Sequence, residues 1–145
     1  MTGSHAIGSP AAVQRRLATY RCILAFNMFL HLVIGLGCMF VPDFVSSSLA
    51  LPPPVPKGWI VGWGATLILV TALYVPGLRD PLGTRYPNWC GIGGRVWMAT
   101  VWFVVGGGLF VFGVFDAAFA AILAFFYYRL LSAADPLDKR VPRQS

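Results

Sequence analysis

Charge is what this sequence has least of. Only 11% of its 145 residues are charged, where a soluble domain carries about 25%. The deficit excludes an ordinary water-facing surface and leaves lipid as the solvent for most of the chain. Cysteine is scarce and unpaired. Cys22, Cys38 and Cys90 make an odd count with no CxxC spacing, so neither a disulfide framework nor a thiolate zinc site is indicated. All three are read as free thiols, Cys22 and Cys90 toward the cytoplasm and Cys38 toward the other face. Histidine occurs twice, at His5 and His31. His5 falls in a polar N-terminal tail, which disfavours bis-histidine haem ligation within one chain. No set of ligands converges on a metal, and no serine or cysteine has a base beside it. The glycines at Gly91, Gly93 and Gly94 lack the strand and lysine of a P-loop. No internal repeat is visible, which argues against an inverted-repeat transporter.

Apolar residues are what the sequence has instead, at 57%. They gather in four runs, about residues 17–41, 58–76, 95–112 and 116–132. A helix crosses the hydrocarbon core with roughly 20 residues at about 1.5 Å each. The runs are continuous rather than alternating, so they read as helices and not barrel strands. Pro42 and Pro76 are expected stops, and Asp116 an expected N-cap of the fourth helix. The predicted fold class is therefore all-α, an integral membrane four-helix bundle over residues 15–133. Residues 1–14 form an expected disordered tail, and residues 134–145 a second tail.

The net charge of +6 sets orientation rather than nucleic-acid binding. Arg15, Arg16 and Arg21 precede or open the first run. Arg79, Arg85 and Arg95 lie between the second and third, and Arg129, Lys139, Arg140 and Arg143 close the chain. The opposite side has only Lys57. The positive-inside rule then places both termini in the cytoplasm, in a bacterial-type inner membrane. Between the first two runs, Phe44, Val45, Leu49 and Leu51 suggest a short surface segment, followed by a stiff stretch at Pro52, Pro53, Pro54 and Pro56. Trp89, Tyr86, Tyr127, Tyr128 and Trp97 read as interfacial anchors. Trp59 and Trp63 stand one turn apart on the second helix.

His31 is the residue most suggestive of chemistry, because ionisable groups near the middle of a span face a bundle interior or a cavity. Asn27 lies one turn earlier on the same face, and Gly35 and Cys38 continue it. The stripe suits a quinone carbonyl, a proton or a metal. The structural alternative is interhelical hydrogen bonding to Thr66, Thr71 or Thr100. Arg95 beside Gly93 and Gly94 is a candidate anion contact. It is not expected to pair with Asp116, which the span boundaries put at the opposite face. Gly58, Gly62 and Thr66 form a small-residue ridge suited to close helix packing, and Gly106, Gly107 and Gly108 a soft spot. The candidate ligand-binding set is Asn27, His31, Trp63, Thr66 and Arg95.

The layout also resembles a group of small bacterial membrane proteins. Tyr74-x-Pro76, Arg79-Asp80-Pro81, Arg85-Tyr86, Arg95 opening a helix and Asp116 opening the last one are similar to BphX-like and DoxX-like proteins. The resemblance covers most of residues 17–131 and implies a four-helix bundle, with a link to quinone-coupled redox chemistry for DoxX-like relatives. It carries over no catalytic residue. The leading expectation is a non-enzymatic role, an accessory subunit or homo-oligomer that binds a protein partner within the bilayer. A redox-associated protein holding a quinone or similar ring near Asn27 and His31 is the second reading. A small transporter or an immunity protein is the third.

Overall fold

The computed structural model describes residues 9–138, so His5 and the basic residues at 139, 140 and 143 lie outside the described residues. Among the described residues the chain is helical, with no strand. The elements are α1 (Pro10–Phe40), α2 (Pro42–Ser48), α3 (Gly58–Arg79), α4 (Arg85–Val105) and α5 (Phe110–Asp138), with one 3-10 turn at Gly107–Leu109.

Several boundaries differ from those expected, each for a local reason. Helix α1 starts at Pro10, so residues 10–14 are helical rather than tail. Ser9 caps it by accepting from the Ala12 N–H at 3.2 Å, and proline suits the first helical position. Helix α3 runs through Pro76 to Arg79. A proline this close to a C-terminus removes one bond without forcing a stop. The chain then turns on Asp80, whose Oδ1 accepts from the Gly83 N–H at 2.9 Å. Helix α4 begins ten residues before Arg95. Its Pro87 falls in the first turn, where a missing N–H costs little. It ends at Gly106, where φ is 71° and Gly107 follows at 60°, values that favour glycine. The break between the last two helices is therefore at residues 106–109, not at 113–116. Helix α5 is 29 residues long and contains Asp116 in its interior, so Asp116 is not an N-cap.

Among the described residues, three segments are long and apolar enough to cross a membrane: α1, α3 and Gly107–Asp135. Helix α4 has 21 residues, which matches a span in length, but Arg85 and Arg95 lower its apolarity. The packing is cyclic. Helix α1 lies against α3 and α5, and α4 lies against α5 and α3, while α2 folds back onto α1. Large apolar side chains stay exposed along these helices, among them Phe29, Leu69, Leu73, Val104 and Val111. So continuous an apolar surface is unusual for a water-soluble monomer.

The core is densest at the end that carries the arginines. Tyr20, Leu24, Ile92, Leu123, Tyr127 and Leu130 are buried together there. Tyr20 stacks on Tyr127 with ring centroids 4.9 Å apart. Its hydroxyl donates to Asn88 Oδ1 at 2.9 Å, and the Tyr127 hydroxyl donates to the Pro81 carbonyl at 2.9 Å. Tyr127 is thus a core residue and not an interfacial anchor, whereas Trp97 and Tyr128 are exposed. Arg16 donates to the Arg129 carbonyl at 2.7 Å, and Arg21 to those of Leu78 and Arg79. At the opposite end Lys57 meets Asp43 at 2.6 Å in the open.

Close helix approach is made by a different glycine pair from the one expected. A Cβ on Gly64 would sit 2.5 Å from the Gly35 carbonyl oxygen, so α1 and α3 touch through these two glycines. Gly58 and Gly62 instead face open space. Of the three cysteines, Cys38 is buried at this contact, while Cys22 and Cys90 are exposed, and all are free.

Candidate functional site

Arg95 lies ten residues into α4, about 15 Å along its axis at 1.5 Å per residue. Its side chain points inward and is only 4% exposed. One guanidinium nitrogen meets Asp116 Oδ1 on α5 at 2.5 Å. The other donates to Asn27 Oδ1 and lies 2.6 Å from His31 Nε2, both on α1. The expectation that Arg95 and Asp116 cannot meet is overturned. With the glycine break at residues 106–109, both residues lie some way in from the hairpin, on facing stretches of α4 and α5.

The surroundings reinforce the pair. Trp102 donates its indole N–H to Asp116 Oδ2 at 3.2 Å. The rings of Phe115 and Phe119 flank the guanidinium, with centroids 5.5 and 5.0 Å from its central carbon. Tyr74 of α3 is buried beside the imidazole, with ring centroids 6.1 Å apart. Asn27 and His31 are bonded neither to Thr66, Thr71 nor Thr100. Each threonine hydroxyl instead donates to a carbonyl of its own helix.

The proton count of this cluster is uneven. Both Asp116 oxygens, Asn27 Oδ1 and His31 Nε2 are engaged as acceptors. Because His31 accepts through Nε2, the imidazole hydrogen is on Nδ1. Three buried atoms then have no hydrogen-bond partner: Asn27 Nδ2, His31 Nδ1 and Arg95 Nε. All three are donors. Buried donors are almost always satisfied, and the Tyr74 hydroxyl, buried beside Arg95, is a further acceptor within this cluster.

A cavity of about 580 Å³ adjoins the cluster, within the range of small-molecule sites. It lies between α3 and α4, with His31 of α1 and Asp116 of α5 reaching it from behind. Of the five residues expected at a ligand site, His31, Trp63, Thr66 and Arg95 line this cavity. Asn27 does not; it is fully buried behind the guanidinium. Trp63 packs edge-on against Trp102 at 5.7 Å. Asp116, Tyr74 and Trp102 were missed by sequence reasoning. The usable signal was a lone carboxylate inside an apolar run, with a triple glycine just before that run.

Among the described residues no three histidine, cysteine or acidic side chains gather as a metal site. The chain matches no protein-family model, no curated protein and no solved structure.

Proposed function

We propose that this chain is a polytopic membrane protein that binds a lipid-soluble ring compound bearing carbonyl-type oxygen, of the quinone kind, in the α3–α4 cavity. The observation that carries this is the buried Arg95–His31–Asp116 cluster at the inner wall of an otherwise apolar cavity. A ligand whose oxygens accept hydrogen bonds complements the N–H-bearing side chains of Arg95 and His31 on the wall, while the apolar cavity wall and Trp63 suit a flat ring. Intramembrane ionisable residues mark functional sites more often than structural ones.

The same reading takes α4 as a fourth span and the four long helices as a membrane bundle with both termini in the cytoplasm of a bacterial-type cell. Support comes from the arginines: Arg15, Arg16, Arg21, Arg79, Arg85 and Arg129 collect at one end, leaving Lys57 at the other. Arg95 no longer counts toward this rule, since it is buried among the helices. The proposed kinship with BphX-like and DoxX-like proteins fits such a bundle. A second reading, an accessory subunit or homo-oligomer, is favoured by the outward-facing Gly58 and Gly62, which leave room for another helix.

Protein purified in mild detergent should carry a ring compound visible in its absorption spectrum and in mass spectra of its lipid extract. His31→Ala should deplete that compound while the helical content is kept. A colourless protein carrying only bulk lipid refutes the ring-binding reading and favours the second.

A further inference from the structure

The cavity is a cleft with a buried floor and an open side. His31, Tyr74 and Arg95 at its floor are buried. Its rim is exposed, with Leu73 and Pro76 on α3 facing Tyr86, Cys90 and Gly94 on α4. Both rims are helix flanks, and the cleft follows α3 from Trp63 to Pro76, about 20 Å at 1.5 Å per residue. In a bilayer this opening faces acyl chains along α3 and reaches the headgroup level at Tyr86 and Cys90. Helices α3 and α4 also touch least among the neighbouring long helices, so the mouth falls where the ring of helices is weakest.

Charge narrows the occupant. The charged residues on the cavity wall are Arg95 and Asp116, and they neutralise one another at 2.5 Å. A ligand with its own net charge would have no free counter-ion there, and an uncompensated charge in a low-dielectric interior is costly. The floor carries the N–H groups of Arg95 and His31 beside the Asp116 carboxylate and the Tyr74 hydroxyl, and the rest of the wall is almost wholly apolar.

Resting on the ring-binding reading above, we propose that the ligand is an uncharged carbonyl compound with a hydrocarbon tail, and that it reaches the floor sideways from the lipid, passing Cys90. The head accepts hydrogen bonds at the floor, and the tail lies along the cleft toward the bilayer. A bound ligand therefore covers the Cys90 thiol. Cys22, which is exposed away from the cavity, serves as an internal reference.

The test uses the full chain in phosphatidylcholine vesicles, with acyl chains present throughout as the baseline. A membrane-permeant maleimide is added, and modification of Cys90 and Cys22 is followed by peptide mass spectrometry. Decylubiquinone is the uncharged probe and dodecyl sulfonate the anionic one, with tryptophan quenching as a separate measure of quinone binding. Decylubiquinone at about four times its Kd should slow Cys90 about fivefold, since the free fraction falls as 1/(1 + [L]/Kd). Cys22 should not change, and dodecyl sulfonate should protect neither thiol. Equal protection by dodecyl sulfonate overturns the uncharged-ligand assignment. Saturable quenching without slowing at Cys90 overturns the lateral path and leaves ring binding standing. Absence of both quenching and protection overturns the two together.

Discussion

Replacing Asp116 by asparagine removes one charge from the centre of the protein and changes almost no volume. Arg95 would stay charged and buried, with its side chain 4% exposed. Breaking a buried pair from one side typically costs about 3–5 kcal/mol. Two features act in opposite directions here. Asn27, His31 and the faces of Phe115 and Phe119 still hold the guanidinium, which favours the lower end. Trp102, which is partly buried, exchanges a carboxylate acceptor for a weaker amide one, which adds to the cost. The expected loss is therefore about 3–5 kcal/mol. Changing both partners, Arg95→Met with Asp116→Leu, removes the stranded charge. It leaves Asn27 Oδ1 and His31 Nε2 without donors, so a residual cost of about 1–3 kcal/mol is expected. The double variant should thus be more stable than Asp116→Asn alone. Equilibrium unfolding in mixed dodecyl sulfate micelles, followed by circular dichroism, measures both. A loss below about 1 kcal/mol for Asp116→Asn, the range of an exposed pair, would refute the buried ion pair.

Gly64→Ala should destabilise by about 1–3 kcal/mol in the same assay, because the added Cβ meets the Gly35 carbonyl at 2.5 Å and overpacking is costly. Gly62→Ala, which meets nothing within 4 Å, should be nearly neutral in the monomer. Equal effects would refute the α1–α3 glycine contact. A membrane-impermeant maleimide on intact cells should label an introduced Ser47→Cys and spare the native Cys22 and Cys90, and the reverse pattern would refute the orientation.

The half of the site on one helix was readable from sequence, and the half between helices was not. Asn27 and His31 share a face because residues four apart align on any helix, so their pairing needs no knowledge of where α1 begins. The Arg95–Asp116 pair depends on where α4 stops and α5 starts. Pro87, Gly91, Gly93 and Gly94 look like loop chemistry, and they pushed the expected start of α4 ten residues too late. The three glycines at 106–108 look like a packing surface inside a helix, yet two of them take positive φ and end it. These errors compound. Together they moved Asp116 from the interior of α5 to its first residue and placed it across the membrane from Arg95. Helix existence was legible from apolarity. Helix register was not, because in a uniformly apolar chain no polar face marks the turns.

The buried cluster is hard to explain by stability alone. Packed apolar side chains of similar volume are commonly as stabilising as a buried ion pair, or more so. Here the pair is accompanied by three donors without acceptors, so the arrangement is poorer than its apolar replacement on two counts. A cluster that served only to join α1, α4 and α5 would be expected to close its hydrogen bonds, as Tyr20, Asn88 and Tyr127 do at the arginine-rich end. The two polar centres differ in one respect that matters: the closed one is sealed by the core, and the open one adjoins a cavity. A polar cluster at the wall of a cavity is placed to meet a ligand, and one sealed in the core is not. That contrast within a single chain is the physical ground for proposing Arg95 and His31 as a site, with Asn27 holding the guanidinium from behind, and for reading Asn88 as structure.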